Sequence, residues 1–150
     1  MKKVTLILGV FATVISLSCS KESAPSLVGK WRFYEEGSKG TGSTIVWEAN
    51  TDDACEAQSF SQLNADGSTY FENYSINPIT DECELDDNSQ LYISTWVKEG
   101  DDLIVTTEFG PDVIEYKSRV VSLSSSELIT QDYNQAGTAL IDSYSKLIRK

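Results

Sequence analysis

Beyond residue 26 the chain sustains no helical period, and short runs of apolar and β-branched residues recur between turn signals. The runs cover residues 27–34, 44–48, 58–64, 69–75, 91–98, 103–109, 113–123, 127–133 and 139–148. Between them, Asp66-Gly67 and Gly100-Asp101 supply residues that tolerate positive φ, and Gly110-Pro111-Asp112 forces a bend. This pattern predicts an all-β domain. Eight or nine sequential strands joined by tight turns are best satisfied by an up-and-down antiparallel barrel of about eight strands, because closure leaves no sheet edge exposed. A β-sandwich is the alternative. One stretch, residues 75–88, is acidic, contains Pro78 and reads as an irregular loop.

The start of the chain follows different rules. Met1-Lys2-Lys3 is charged, residues 4–15 are almost unbroken in their apolarity, and Ser16-Leu17-Ser18 places small residues before Cys19. That is the layout of a secretory signal, with an apolar run shorter than the roughly 20 residues of a membrane-spanning helix. Ile15-Ser16-Leu17-Ser18-Cys19 resembles a lipobox, at which bacteria acylate the cysteine and cleave before it, although Leu17 stands two rather than three residues ahead. An ordinary secreted protein is the alternative, since Ser16 and Ser18 also suit a general signal peptidase. The expected organisation is a signal peptide over 1–18, a lipidated Cys19 with a polar tether to residue 26, and one domain over 27–150. Ser20 supplies no inner-membrane retention Asp, so an outer-membrane anchor is expected. Acylating Cys19 leaves Cys55 and Cys83 as a disulfide pair in an oxidising compartment.

Charge narrows the function. Without Lys2 and Lys3, 10 basic residues stand against 23 acidic ones. Scattered bases among so many acids exclude a phosphate-backbone footprint, and no nucleic-acid partner is expected. Histidine is absent, which removes the commonest general base and metal ligand. Asp81, Glu82, Glu84, Asp86 and Asp87, with Asn88, have the oxygen chemistry of a calcium site. Their spacing matches no calcium loop, nor does Asn64-Ala65-Asp66-Gly67, so the expectation is a solvated loop with no metal or cofactor. No motif pairs a nucleophile with a base, and no enzymatic activity is expected.

Four groups of residues carry a resemblance. They are Leu27-Val28-Gly29-Lys30-Trp31, the Cys55/Cys83 pair around Leu63-Asn64-Ala65-Asp66-Gly67, Thr95-Trp96 followed by Gly100-Asp101-Asp102-Leu103, and Leu123-Ser124-Ser125-Ser126-Glu127-Leu128. In this order they resemble a lipocalin-like lipoprotein family common in Bacteroidetes, over nearly the whole mature chain. Gly29-Lys30-Trp31 also fits the lipocalin G-x-W signature, in which the tryptophan closes one barrel end and packs under a late arginine, a role for which Arg149 is placed. Further motifs of classical lipocalins, and their C-terminal helix, are missing.

The resemblance implies an eight-stranded barrel with Trp96 inward. By alternation Tyr92 and Ser94 share its face, as Leu103, Val105, Thr107 and Phe109 share theirs. Such an interior either holds one small ligand or is filled by side chains. Trp31, Trp47, Trp96, Phe60, Phe71 and Phe109, with the seven tyrosines, are aromatic candidates for an apolar lining. The candidate ligand site is Trp31, Phe71, Tyr92, Trp96, Val105 and Phe109. The expected role is a monomeric, membrane-anchored, non-enzymatic binder of a small apolar or amphipathic molecule. A structural or interaction lipoprotein with a filled core is the alternative.

Overall fold

The computed structural model describes residues 25–40, 42–50, 54–86 and 93–150. Eleven strands follow one another: β1 (Gly29–Lys39), β2 (Ile45–Ala49), β3 (Phe60–Leu63), β4 (Ser68–Glu72), β5 (Tyr74–Ile76), β6 (Cys83–Leu85), β7 (Ile93–Glu99), β8 (Asp102–Phe109), β9 (Asp112–Leu123), β10 (Glu127–Tyr133) and β11 (Leu140–Arg149). Eight of them, β1, β3, β4 and β7 to β11, close into an antiparallel barrel, with β11 returning to pair with β1. Closure gives every wall strand a partner on each side, the β4–β7 seam being the shortest at two residue pairs, as the strand count and short turns predicted. Among the turns, Gly110 takes φ 62°, which its lack of a Cβ permits before Pro111.

β2 and β3 lie end to end on the same edge of β1, β2 against Glu35–Lys39 and β3 against Gly29–Trp31. They form one strand interrupted by an excursion that holds Cys55 and a 3₁₀ turn over Glu56–Gln58. A second excursion, β5 paired with β6, leaves the barrel after β4. The Cys55–Cys83 disulfide joins the two, with 5.4 Å between Cα atoms.

Two local expectations need correction. Residues 69–75 are not one strand but β4 and β5 either side of Asn73, and the supposedly irregular 75–88 contains β6. Asn77 organises this hairpin: its side-chain carbonyl accepts from the Ile79 amide and its side-chain amide donates to Glu84, a local turn that carries no apolar pattern.

The core lies at one end of the barrel. Leu27, Trp31, Leu63, Leu103 and Leu128 are buried together, with Trp96, Val105, Val120, Leu123 and Leu147 packed around them. Two bulges set which side chains reach inward. In β1 the register shifts between Phe33 and Glu35, and between β9 and β10 Val121 is the extra residue.

Candidate functional site

The closed end is built on Trp31, 1 % exposed, whose indole N–H donates to the Leu27 carbonyl at 2.7 Å. Arg149, opposite Trp31 in the β1–β11 ladder, lays its guanidinium over the indole ring at 4.3 Å and donates to the Val28 and Ser26 carbonyls. Gly29 has φ +144°, and a Cβ there would overlap that guanidinium. This explains the glycine two residues before the tryptophan: the arginine needs its space.

Above this floor is an apolar cup of about 350 Å³. β1 and β11 give it Trp31, Phe33, Ser145 and Leu147; β3 and β4 give Ser61, Leu63 and Phe71; β8 to β10 give Leu103, Val105, Tyr116, Ser118, Leu128 and Thr130. The cup shares Val105, Tyr116 and Ser118 with a wider, open hollow of about 930 Å³ that continues towards the β10–β11 turn. The interior is therefore open at the end opposite Trp31. Five large apolar side chains that line these two spaces remain accessible: Phe33 at 38 %, Ile114 at 40 %, Ile141 at 42 %, Tyr116 at 59 % and Val113 at 64 %. In a filled core they would be covered.

The middle of the interior carries hydroxyls. Thr69, Ser94, Thr107 and Thr130 are buried, and Ser94 and Thr107 bond each other at 3.0 Å. The Thr69 hydroxyl has no partner among the described residues.

Of the six candidate residues, Trp31, Phe71 and Val105 meet in the cup. Trp96 is the direct cross-strand partner of Val105 and shares its face, but it packs on the leucine floor outside the cup lining, with its indole N–H donating to the Asn64 carbonyl at 2.9 Å. Phe109 ends β8 and is half-buried outside the cup lining. Tyr92 lies outside the described residues, as does Cys19. Two further aromatics face the other way. Phe60 alternates with Ser61 and Leu63 and is buried on the outer wall beneath Lys30 and Lys150. Trp47 opposes Gly37, which in turn opposes Tyr144, so these three share the outer face; a Cβ on Gly37 would meet Trp47 at 2.8 Å. Phe33, Ile114 and Ile141 are not marked by the sequence pattern, and Tyr116 is marked only as one of the seven tyrosines. Alternation from Val105 through its partner Tyr116 is the signal that finds the two on β9, Tyr116 and Ile114.

The outer wall also holds a polar cluster. The Asp102 carboxylate accepts from the Tyr133 hydroxyl at 3.0 Å and the Lys117 ammonium at 3.1 Å, with Arg119 at 3.4 Å. Partial burial pushes the Asp102 carboxyl up, but the hydrogen bonds from Lys117 and Tyr133 and the Lys117 charge outweigh it and hold it below the usual carboxylate range. Lys117 is held above its ordinary value mainly by the hydrogen bond to Asp102. These groups staple β8, β9 and β10.

Among the described residues, no group of three or more acids and cysteines is placed to hold a metal ion, and no helix is long and apolar enough to cross a membrane. No family model, curated protein or solved structure matches this chain.

Proposed function

We propose that this protein is a lipid-anchored, lipocalin-like carrier that holds a small apolar or amphipathic molecule in the cup and does no chemistry on it. The observation that carries the reading is the set of large apolar residues, Phe33, Ile114, Tyr116 and Ile141, that line an open interior and remain accessible to solvent. Leaving such surface wet forfeits about 25 cal/mol for each Å² that a guest would cover. Hydroxyls at Ser61, Ser118 and Ser145 give a guest polar partners without filling the space.

The anchor completes the reading. Pro25 and Ser26 sit at the closed end, where Ser26 accepts from Arg149. Pro25 is six residue steps from Cys19, a reach of at most about 20 Å. An outer-membrane lipid on Cys19 would thus hold the closed end near the bilayer and turn the mouth to the aqueous side.

Titration with the neutral dye N-phenyl-1-naphthylamine tests the cup. The expected result is a saturable rise in dye fluorescence at one site per chain, weakened in Phe33→Ala and Tyr116→Ala proteins that remain folded. A folded wild-type protein with no saturable response overturns the reading and leaves a role on the outer surface. Cys19→Ser tests the anchor: the protein should move from the membrane fraction to the soluble one, and unchanged membrane association refutes lipidation there.

A further inference from the structure

The charge of the mouth selects among guests. Simple alternation from Trp31 and Phe33 would put Glu35 inside the barrel, but the bulge at Tyr34 reverses the sequence of faces. Glu35 turns outward to pair with Lys146, and Glu36 comes opposite Ser145, a residue of the cup lining. Cross-strand partners share a face, so Glu36 looks inward above the cup. Its other neighbour is Glu48 on β2, directly opposite, and both line a hollow at the mouth with Asp142 and Ser143. Asp132, on the wall of the larger hollow, accepts from the Ser143 hydroxyl at 2.7 Å, which joins the two spaces.

By register the inward-facing acids of the mouth are Glu36, Glu48 and Asp132, and no base among the residues of the two hollows shares their face; Glu115, Asp142 and Lys117 border the hollows from outer-face positions, where Asp102 engages the Lys117 ammonium. Lys39, near the top of β1, lies on the outer face with its ammonium over the Tyr144 ring at 5.5 Å. Like charges placed directly opposite on a sheet destabilise it, and the Glu36–Glu48 pair has no base on its own face among the residues of that hollow. A cation held there would relieve the repulsion, and the exposed Tyr116 ring below offers a face for cation–π contact.

We infer that the cup takes amphiphiles whose polar end is cationic, an amine or quaternary ammonium, and rejects carboxylate-headed chains. The inference rests on the carrier reading: the apolar cup supplies the affinity for the chain and the mouth supplies the sign of the head group.

Matched probes separate the two claims. Dodecyltrimethylammonium, dodecanol and dodecanoate, each below its micelle concentration, are titrated against tryptophan fluorescence at low salt. The cation should bind at least about tenfold more tightly than the carboxylate, the scale of one or two charge contacts near a wet surface, and the gap should narrow as salt rises. Glu36→Gln with Glu48→Gln should close most of the gap while leaving dodecanol binding unchanged, and the melting temperature should hold or rise slightly as the like-charge pair is relieved. Glu99→Gln with Asp101→Asn, at the closed end, should leave the gap intact. Equal binding of the charged probes overturns the inference and spares the carrier. A gap that both double variants reduce alike also overturns it, because overall charge then explains the preference. Saturable binding of none of the three overturns the carrier reading itself.

Discussion

The two ends of this barrel are made from the same strands, yet they solve different problems. At the closed end, neighbouring inward positions are filled by Trp31, Leu63, Leu103 and Leu128, and Arg149 seals the ring of Trp31 from below. At the open end, inward positions on the continuations of the same strands carry Phe33, Glu36, Tyr116 and Ile114, which do not cover one another. Stability in a small domain comes from covered apolar area, so the floor should carry the fold and the mouth should be nearly free to vary.

Trp31→Ala breaks the comparison hardest. Removing a side chain buried to 1 % exposure leaves a cavity and strips Arg149 of its ring, and the expected loss is about 3–5 kcal/mol in urea unfolding. A loss under about 1 kcal/mol would mean that the floor is not the core. Replacing Cys55 and Cys83 together by Ser should come next. The bridge spans 28 residues and ties the β5–β6 hairpin to the excursion before β3, which corresponds to about 3–4 kcal/mol in the chain-entropy account. Because both excursions stand outside the barrel, dye binding should survive in that variant under native conditions, as a titration can check.

How much of this contrast is visible in the sequence depends on the kind of signal. The barrel class is visible, because strands announce themselves by period and turns by composition. The faces of β8 are visible too: Leu103 and Thr107 are buried where alternation puts them. What alternation cannot carry is an interruption of itself. The bulge at Tyr34 exchanges the faces of Glu35 and Glu36, so the inward acid at the mouth is hidden in a stretch that reads Phe-Tyr-Glu-Glu. Composition is equally silent about inside and outside. Trp47 and Phe60 look like lining residues until the register places them on the outer wall, against Gly37 and beneath two lysines. β6 is three residues long and is held by its pairing with β5 and by the disulfide, so nothing in Cys83-Glu84-Leu85 marks a strand.

The Asp102 cluster ties the wall between the two ends and gives a pH test. Its carboxyl is held below the ordinary value of 3.8 in the folded chain, so its stabilisation is fully present above that value and is lost as pH falls through the lowered folded pKa. Lys117 is raised above 10.5, so its share is present below that value and is lost as pH rises through the folded pKa. Wild-type stability minus that of Asp102→Asn should therefore be flat between these limits and shrink at both. A difference that stays constant down through the acid limb would show that the carboxylate charge contributes nothing to the staple.

The smallest expected change in stability is the one that sharpens the comparison most. Tyr116 and Val105 are direct partners across β8 and β9, and both line the cup. Tyr116 nevertheless remains 59 % exposed, because the wall faces an open space rather than another side chain. Tyr116→Ser removes little buried area, and substitutions at such exposed positions usually stay within about 0.5 kcal/mol. If the exposed ring is there for a guest, the same substitution should weaken binding of the neutral dye severalfold while the urea midpoint hardly moves. The two readouts must separate at this residue and move together at Trp31, where loss of the floor removes both fold and site. Should Tyr116→Ser instead cost as much stability as a core truncation, the ring is packed in solution, and the open end is a second floor.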